Sequence, residues 1–380
     1  MTRALSVVRS DAAPPRRAEK RRPARRPQDW RWQLQNAVRT TRELEAALTL
    51  TDDERVGALA AERAGLPLSI TPYYLGLVDR NDPACPIRRQ VVPRAEESRE
   101  VPGDLRDPLG EEAHEAAPHL VQRYPDRALV IATDRCAVYC RFCTRSRLVG
   151  AGGGATSLER LSGAFDYLRA HPEVRDVIVS GGDPLAMATE RLVRVVRALR
   201  EIPSVETIRL ATRVPVALPQ RITSELLAAL RPHHPLWVMT HFNHPKELTE
   251  ASRLSCRRLA DAGFPVMNHT VLLRGVNDDA MTLATLFRGL VRERVRPYYL
   301  LQADPVRGTG HLRTPLATGV RIMGELQGRL SGIALPKFIV DTPGGMGKVP
   351  AGPDYVVRQE PGRTRFLTHR GVEVDYVDPP

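Results

Sequence analysis

Three cysteines fall within eight residues, Cys136-Ala-Val-Tyr-Cys140-Arg-Phe-Cys143, directly after an apolar run over 128–133. Three thiolates on one loop can hold three irons of a [4Fe–4S] cluster and leave the fourth iron without a protein ligand. A zinc knuckle and buried free cysteines are the competing readings. Zinc normally takes four ligands in spaced pairs, and the other two cysteines, Cys85 and Cys256, stand alone. Five cysteines, so crowded, argue against a disulfide scaffold and for a reduced, metal-binding protein of the cytoplasm.

A second signal is scarcity. Only four of the 56 basic residues are lysines (Lys20, Lys246, Lys337 and Lys348). One of them closes the glycine turn Pro343-Gly344-Gly345-Met346-Gly347-Lys348. Arginine cannot form a Schiff base, so a lysine kept at such a turn is a candidate for covalent chemistry with a carbonyl. Ser180-Gly181-Gly182-Asp183-Pro184 follows a second apolar run and reads as a turn or a ligand-approach point. Gly-Ala-Gly-Gly-Gly-Ala over 150–155 lacks the lysine and Ser/Thr of a phosphate loop and reads as a flexible loop.

These residues need a scaffold, and the apolar pattern supplies one. Candidate strands lie at 128–133, 176–181, 207–212, 236–241, 266–273 and 298–302, alternating with amphipathic helical stretches. The spacing near thirty residues is that of one βα unit, and near-continuous apolar strands predict burial on both faces. Six units predict an α/β fold, a partial (β/α)6 barrel, with one more strand at 336–343. Residues 28–75 read as helical and 76–127 as an irregular wrapping connection, while 349–380 read as a small β extension. The expected organisation is a basic tail over 1–27, an N-terminal region over 28–127, a core over 128–348 and the extension.

The net charge of +12 points to nucleic acid at first sight. Residues 1–26 carry nine Lys/Arg against two Asp/Glu and no aromatic residue, so most of the excess sits in what reads as a solvated, disordered tail. No apolar run reaches membrane-spanning length, and the N-terminus has no apolar core of a secretory signal.

A three-cysteine loop after the first strand of a partial barrel, with a glycine pair after the second, resembles the radical S-adenosylmethionine (SAM) superfamily. The longer runs narrow the resemblance. RYPDRALVIATDRCAVYCRFCTRSR (123–147), MTHFNHP (239–245), LLRGVNDD (272–279), RPYYLLQADPVRGTGHLRTPL (296–316) and FIVDTPGGMGKVP (338–350) are similar to the lysine 2,3-aminomutase family. So are DWRWQLQN, ITPYYLGLVD and CPIRRQVVP upstream, which extends the match over more than nine-tenths of the chain.

The resemblance implies three cofactors: a [4Fe–4S] cluster on Cys136, Cys140 and Cys143, SAM, and pyridoxal 5′-phosphate (PLP) bonded to Lys348. It implies PLP contacts from Tyr124 and Arg127, and a SAM site built from Gly181, Gly182, Asp183, His241 and Asn243. It implies that Arg145 holds the substrate carboxylate and that Asp304 and Asp341 bind the distal ammonium. A bidentate fork suits the first task, and paired carboxylates select a cation in the second. The implied reaction is an isomerisation moving the α-amino group of a basic L-amino acid, L-lysine foremost, to C3. L-Arginine, or a lysine of elongation factor P, would suit related chemistry, and a radical SAM enzyme acting on RNA is the reading from another class. An electron donor such as flavodoxin or ferredoxin and a homo-oligomeric state are expected, with no membrane and no nucleic-acid partner.

The chain also departs from the family. Asp279 stands where zinc-holding members have a cysteine, and no cysteine follows Cys256, so no zinc is expected. Met346, His269 and Leu301 replace the expected glycine, glutamine and tyrosine near the cofactors, changes that could accompany a different substrate.

Overall fold

Apolar runs repeated at the interval of a βα unit pair side by side as parallel strands, each returning through a helix. The computed structural model describes residues 29–150 and 154–379. Its first ten strands are β1 (Glu115–Ala117), β2 (Leu120–Tyr124), β3 (Arg127–Thr133), β4 (Asp176–Gly181), β5 (Thr207–Ala211), β6 (Leu236–Thr240), β7 (Val266–Leu272), β8 (Val295–Gln302), β9 (Lys337–Thr342) and β10 (Gly347–Pro350). They form one sheet in chain order. Strands β3 through β9 are parallel neighbours, while β1–β2, β2–β3 and β9–β10 are antiparallel pairs.

The N-terminal region forms α1 (Trp30–Gln35), α2 (Thr41–Ala47), α3 (Asp52–Arg63) and α4 (Pro72–Leu75). Thr40 and Thr51 each close a capping box, with Glu43 and Glu54 reaching back to the cap backbone. The helical reading of 28–75 is interrupted after Gln35, where Val38 bridges to Ile70. Around the sheet run α5 (Leu158–Ala170), α6 (Thr189–Arg200), α7 (Val214–Ala217), α8 (Ser224–Leu230), α9 (Glu250–Asp261), α10 (Ala280–Arg292) and α11 (Leu316–Leu326).

The strands do not bury both faces equally. Val177, Val179, Ile208 and Leu210 lie fully buried, as do Leu192, Val195 and Leu199 of α6. Alternate residues on the same strands, among them Arg127, Ile178, Arg209 and Trp237, are only half-buried. Burial on both faces is therefore corrected: the outer face is sealed by helices, and the concave face of the open barrel stays accessible.

A second correction concerns 76–127. This segment is not wholly irregular, because β1 and β2 extend the sheet beyond β3. Glu115–Ala117 and Leu120–Tyr124 are short and partly polar, so no alternation announces them. The turn between them holds His119 at φ 66°. The C-terminal extension forms a separate antiparallel sheet of β11 (Val356–Glu360), β12 (Arg363–Leu367) and β13 (Glu373–Val377). The basic tail and the centre of the glycine-rich 150–155 stretch lie outside the described residues. Among the described residues, no helix is long and apolar enough to cross a membrane.

Candidate active site

The C-terminal ends of parallel strands gather loops from many parts of the chain at one rim. Here β3 leads into the cysteine loop, β4 into Gly181–Asp183, β6 into His241 and Asn243, and β8 into Asp304. Asp341 sits near the end of β9, and Lys348 returns on β10 opposite it.

The cysteine loop is locked to the glycine pair by backbone bonds. Gly182 N–H donates to the Thr133 carbonyl at 2.6 Å and Asp183 N–H to the Arg135 carbonyl at 2.7 Å. A Cβ on Gly181 would stand 2.2 Å from the Thr133 carbonyl oxygen, and one on Gly182 2.3 Å from that of Arg135. Gly181 also has φ 113°, a backbone conformation that disfavours a side chain. The pair thus gives the cysteine loop its close approach to β4. Burial pushes the Cys143 thiol up to about 11, with Cys140 adding to the shift, and burial also raises the Cys136 thiol, with Asp183 and the other two sulfurs adding. Such thiols become thiolates when a cation is supplied.

Arg213, directly after β5, was not singled out from the sequence. Its buried guanidinium donates to Cys140 Sγ, to Tyr74 Oη at 3.0 Å and to Glu247 at 2.9 Å, and it also meets Gln90. Burial opposes its charge, but Cys140, Tyr74 and Glu247 more than offset that and raise its pKa. A fixed cation against one of three clustered thiols is suited to an anionic iron–sulfur centre. Among the described residues no three Cys, His, Asp or Glu side chains are arranged to hold a metal ion. A cluster asks for something else, one thiolate for each of three separate irons. A cavity of about 380 Å³ touches all three cysteines. The loop therefore fits a cluster.

Two residues expected around SAM also carry bonds within the protein. Asp183 is buried and accepts from Thr212 Oγ1 and Arg213 N–H, both at 2.7 Å, and from Leu185 N–H at 3.0 Å. Burial raises its pKa to about 6 against those hydrogen bonds. Asn243 is wholly buried, its amide donating to Gln90 and its carbonyl oxygen accepting from Val271 N–H. Both brace the rim from behind. His241 reaches the accessible side, with its ring centroid 4.5 Å from His269 and 5.6 Å from Phe142. Burial holds both imidazoles neutral, His269 at about 4 with Lys348 adding to the shift. Gly181 and Gly182 also line a cavity of about 520 Å³.

Around Lys348 the two ends of the sheet meet. Its backbone N–H donates to Tyr124 Oη at 2.9 Å, and its amine contacts the Asp341 carboxylate. Arg123 reaches Asp341 at 3.4 Å, and the Arg127 guanidinium lies 4.0 Å from the Tyr124 ring centroid. Burial lowers the Lys348 amine to about 8, and the charge of Arg123 lowers it further than Arg127 and Arg145 do. Arg127 Nε is buried without a hydrogen bond, 3.5 Å from Asp126. A depressed amine beside two arginines, one with a spare donor, fits an aldehyde that carries a phosphate. Asp304 faces the same lysine. Burial pushes its carboxyl up to about 6 against a hydrogen bond from its own backbone and the charges of Lys348 and Arg123. Arg145 is half-buried and already holds an anion, the carboxylate of Glu111. Met346 is 82% exposed in the lysine turn, whereas Leu301 sits half-buried on β8.

Comparison with known proteins completes the picture. Residues 130–286 match the Radical SAM superfamily and 323–380 match the family described as Lysine-2,3-aminomutase. The chain is 46% identical to the L-lysine 2,3-aminomutase of Clostridium subterminale over 351 residues, covering 92% of this chain and 84% of that one. It is 44% identical to the enzyme of that name from Bacillus subtilis (strain 168), over 92% of this chain and 74% of the relative. The glutamate 2,3-aminomutase of Clostridioides difficile (strain 630) is 38% identical, over 93% and 84% respectively. Such enzymes are isomerases that use a [4Fe–4S] cluster, SAM and PLP. The loop, the rim and the lysine at the end of the sheet are thus those of a chain that belongs to the lysine 2,3-aminomutase family of radical SAM enzymes.

Proposed function

We propose that this protein moves the α-amino group of a basic L-amino acid, L-lysine foremost, from C2 to C3 and so makes a β-amino acid. The observation that carries the substrate is the pair of carboxylates beside Lys348, Asp341 in contact with its amine and Asp304 raised by burial. A distal ammonium entering this pocket gains charge-assisted hydrogen bonds, whereas a distal carboxylate meets like charge. The same pair weighs against L-glutamate, the substrate in the name of one relative.

Each residue has a task in this reading. Cys136, Cys140 and Cys143 hold the cluster, with Arg213 balancing its charge. Gly181, Gly182 and His241 line the place of SAM, while Asp183 and Asn243 fix the loops behind it. Lys348 holds PLP, Arg127 and Tyr124 border it, and Arg145 grips the substrate carboxylate. When bound, these groups supply a carbon radical able to take a hydrogen from the β-carbon and a conjugated carbonyl for the migrating amine. An external one-electron donor of the flavodoxin or ferredoxin kind and a homo-oligomeric state belong to the same reading.

The test is anaerobic incubation of the reconstituted enzyme with L-lysine, L-arginine and L-glutamate in competition, with α- and β-amino products resolved by mass spectrometry. β-Lysine as the dominant product is expected. β-Arginine would assign the two aspartates to a guanidinium, and β-glutamate would overturn the charge argument. SAM cleavage without any shifted amino acid would remove the substrate class.

A further inference from the structure

Glu111 lies in the wrapping segment ahead of β1, and its buried carboxylate occupies one edge of the Arg145 guanidinium. Arg145 Nε donates to its two oxygens at 2.9 and 3.1 Å, and Nη2 donates to Oε1 at 2.6 Å. Nη1 donates to Ser180 Oγ at 3.2 Å. An arginine has five N–H donors around a planar fork. With the Nε/Nη2 edge filled and Nη1 tethered, one N–H remains on each of Nη1 and Nη2 for a second carboxylate.

We propose that Glu111 is a positioning residue that clamps Arg145 side-on, so that the end of its fork meets the carboxylate of an amino-acid substrate at a fixed distance from Lys348. The proposal rests on the reading of Arg145 given above.

The segment carrying Glu111 is packed on the turn that carries Lys348. Gly344 N–H donates to the Pro108 carbonyl at 3.1 Å. A Cβ on Gly110 would meet the Gly344 carbonyl group at 2.8 Å, and one on Gly345 the Leu109 carbonyl oxygen at 2.7 Å. The clamp is held in turn by Arg147, whose Nη2 stands 3.3 Å from Glu111 and 3.1 Å from Asp107. In an α-amino acid the amine and the carboxylate share one carbon. Two protein groups that hold them must keep a constant separation, and the segment 108–111 links the turn of Lys348 to Arg145 through Glu111. A carboxylate here also keeps Arg145 charged in a half-buried place.

The experiment measures binding of L-lysine, and of cadaverine (lysine without its carboxylate), to the holoenzyme by calorimetry, together with KM and kcat. Glu111→Gln is expected to weaken L-lysine about tenfold and to raise KM in step. Cadaverine affinity should stay unchanged, with kcat at saturation close to wild type. Ser180→Ala removes the other tether and is expected to show the same split, which covers failure of E111Q to fold. Equal weakening of both ligands would mean a general structural role and overturn the proposal. Tighter L-lysine binding in E111Q would make Glu111 a competitor for Arg145 and overturn it as well. Arg145→Met separates the two levels. If R145M binds L-lysine like wild type, the carboxylate assignment itself falls. If it loses L-lysine while E111Q does not, only the clamp falls.

Discussion

Tyr124 and Lys348 come from opposite ends of the ten-stranded sheet and are joined by a 2.9 Å hydrogen bond from the lysine backbone N–H to the phenolic oxygen. The open barrel is thus fastened by side chains where no strand ladder closes it, and Arg123 on Asp341 is a second fastening beside the first. The residue that carries the covalent chemistry sits on this join. Its position depends on the segment before β3 as much as on its own strand.

Replacing Tyr124 by Phe tests the join. The ring stays to pack under Arg127, but the Lys348 N–H loses its acceptor, at a cost of about 1 kcal/mol. A small drop in denaturation midpoint and faster loss of PLP on dilution are expected, with iron content unchanged. A variant that keeps PLP like wild type would show that β9 alone fixes Lys348.

Arg213 gives a larger effect. Its partner Glu247 is wholly buried, so Arg213→Met leaves an uncompensated carboxylate inside the protein. Breaking a buried pair from one side costs about 3–5 kcal/mol. Arg213→Lys keeps the charge but not the geometry that reaches Tyr74, Gln90 and Cys140 together. Thermal melts should rank wild type above R213K above R213M. The cluster potential, read by redox titration, should fall in both variants as the donor to Cys140 is lost.

Gly182→Ala asks whether the glycine pair is needed for the cysteine loop. An added methyl group would press on the Arg135 backbone at 2.3 Å, and no flexible side chain there can yield. The loop must shift, so low iron incorporation is expected even with intact far-ultraviolet dichroism. Full iron content in G182A would place the requirement elsewhere.

How much of this was legible follows from what a linear pattern can carry. The strands from 176–181 to 337–342 announce themselves because each is a short apolar run between helices, and the cysteines because they are close in sequence. Glu111, Arg213 and Glu247 are another matter. In a chain with 52 arginines and many acids, nothing local marks the pair that ends up buried. Arg213 has one signal, its place just after a parallel strand, where ligands gather. Asn243 shares that signal and yet is wholly buried, its amide shared among Gln90, Val271 and His241. Position at the rim is visible in sequence, but the direction a side chain faces depends on partners far along the chain.

Lys348 and Asp304 contribute to the pH dependence of apoenzyme stability with opposite signs. The Lys348 amine falls from 10.5 to about 8 through burial, so between those values the unfolded chain binds the extra proton and stability rises with pH. The Asp304 carboxyl rises from 3.8 to about 6 through burial, so across that range the folded chain binds the extra proton and stability falls as pH rises. Asp304→Asn should remove only this aspartate's share of the acid dependence, that of Asp183 remaining, as read by denaturant titration. Attachment of PLP needs the neutral amine, so its rate should climb to a plateau just above pH 8 rather than follow an ordinary lysine.

Asp304 should also set the acid limb of substrate binding. Asp341 is already engaged by Lys348 and Arg123, whereas the Asp304 carboxyl forms no ion pair among the described residues and is open to a cation. Ionised above about pH 6, it attracts a distal ammonium; protonated below that, it offers only a neutral acceptor. KM for L-lysine should therefore rise as pH falls through about 6 while kcat changes little. In Asp304→Asn, KM should be raised about tenfold at neutral pH and should lose that inflection, because the charge is absent throughout. Asp341→Asn should behave differently. It frees the Lys348 amine from its carboxylate, so PLP attachment should change along with KM. If D304N keeps the wild-type inflection, the group that titrates lies elsewhere, and the charge selection assigned to this aspartate fails with it.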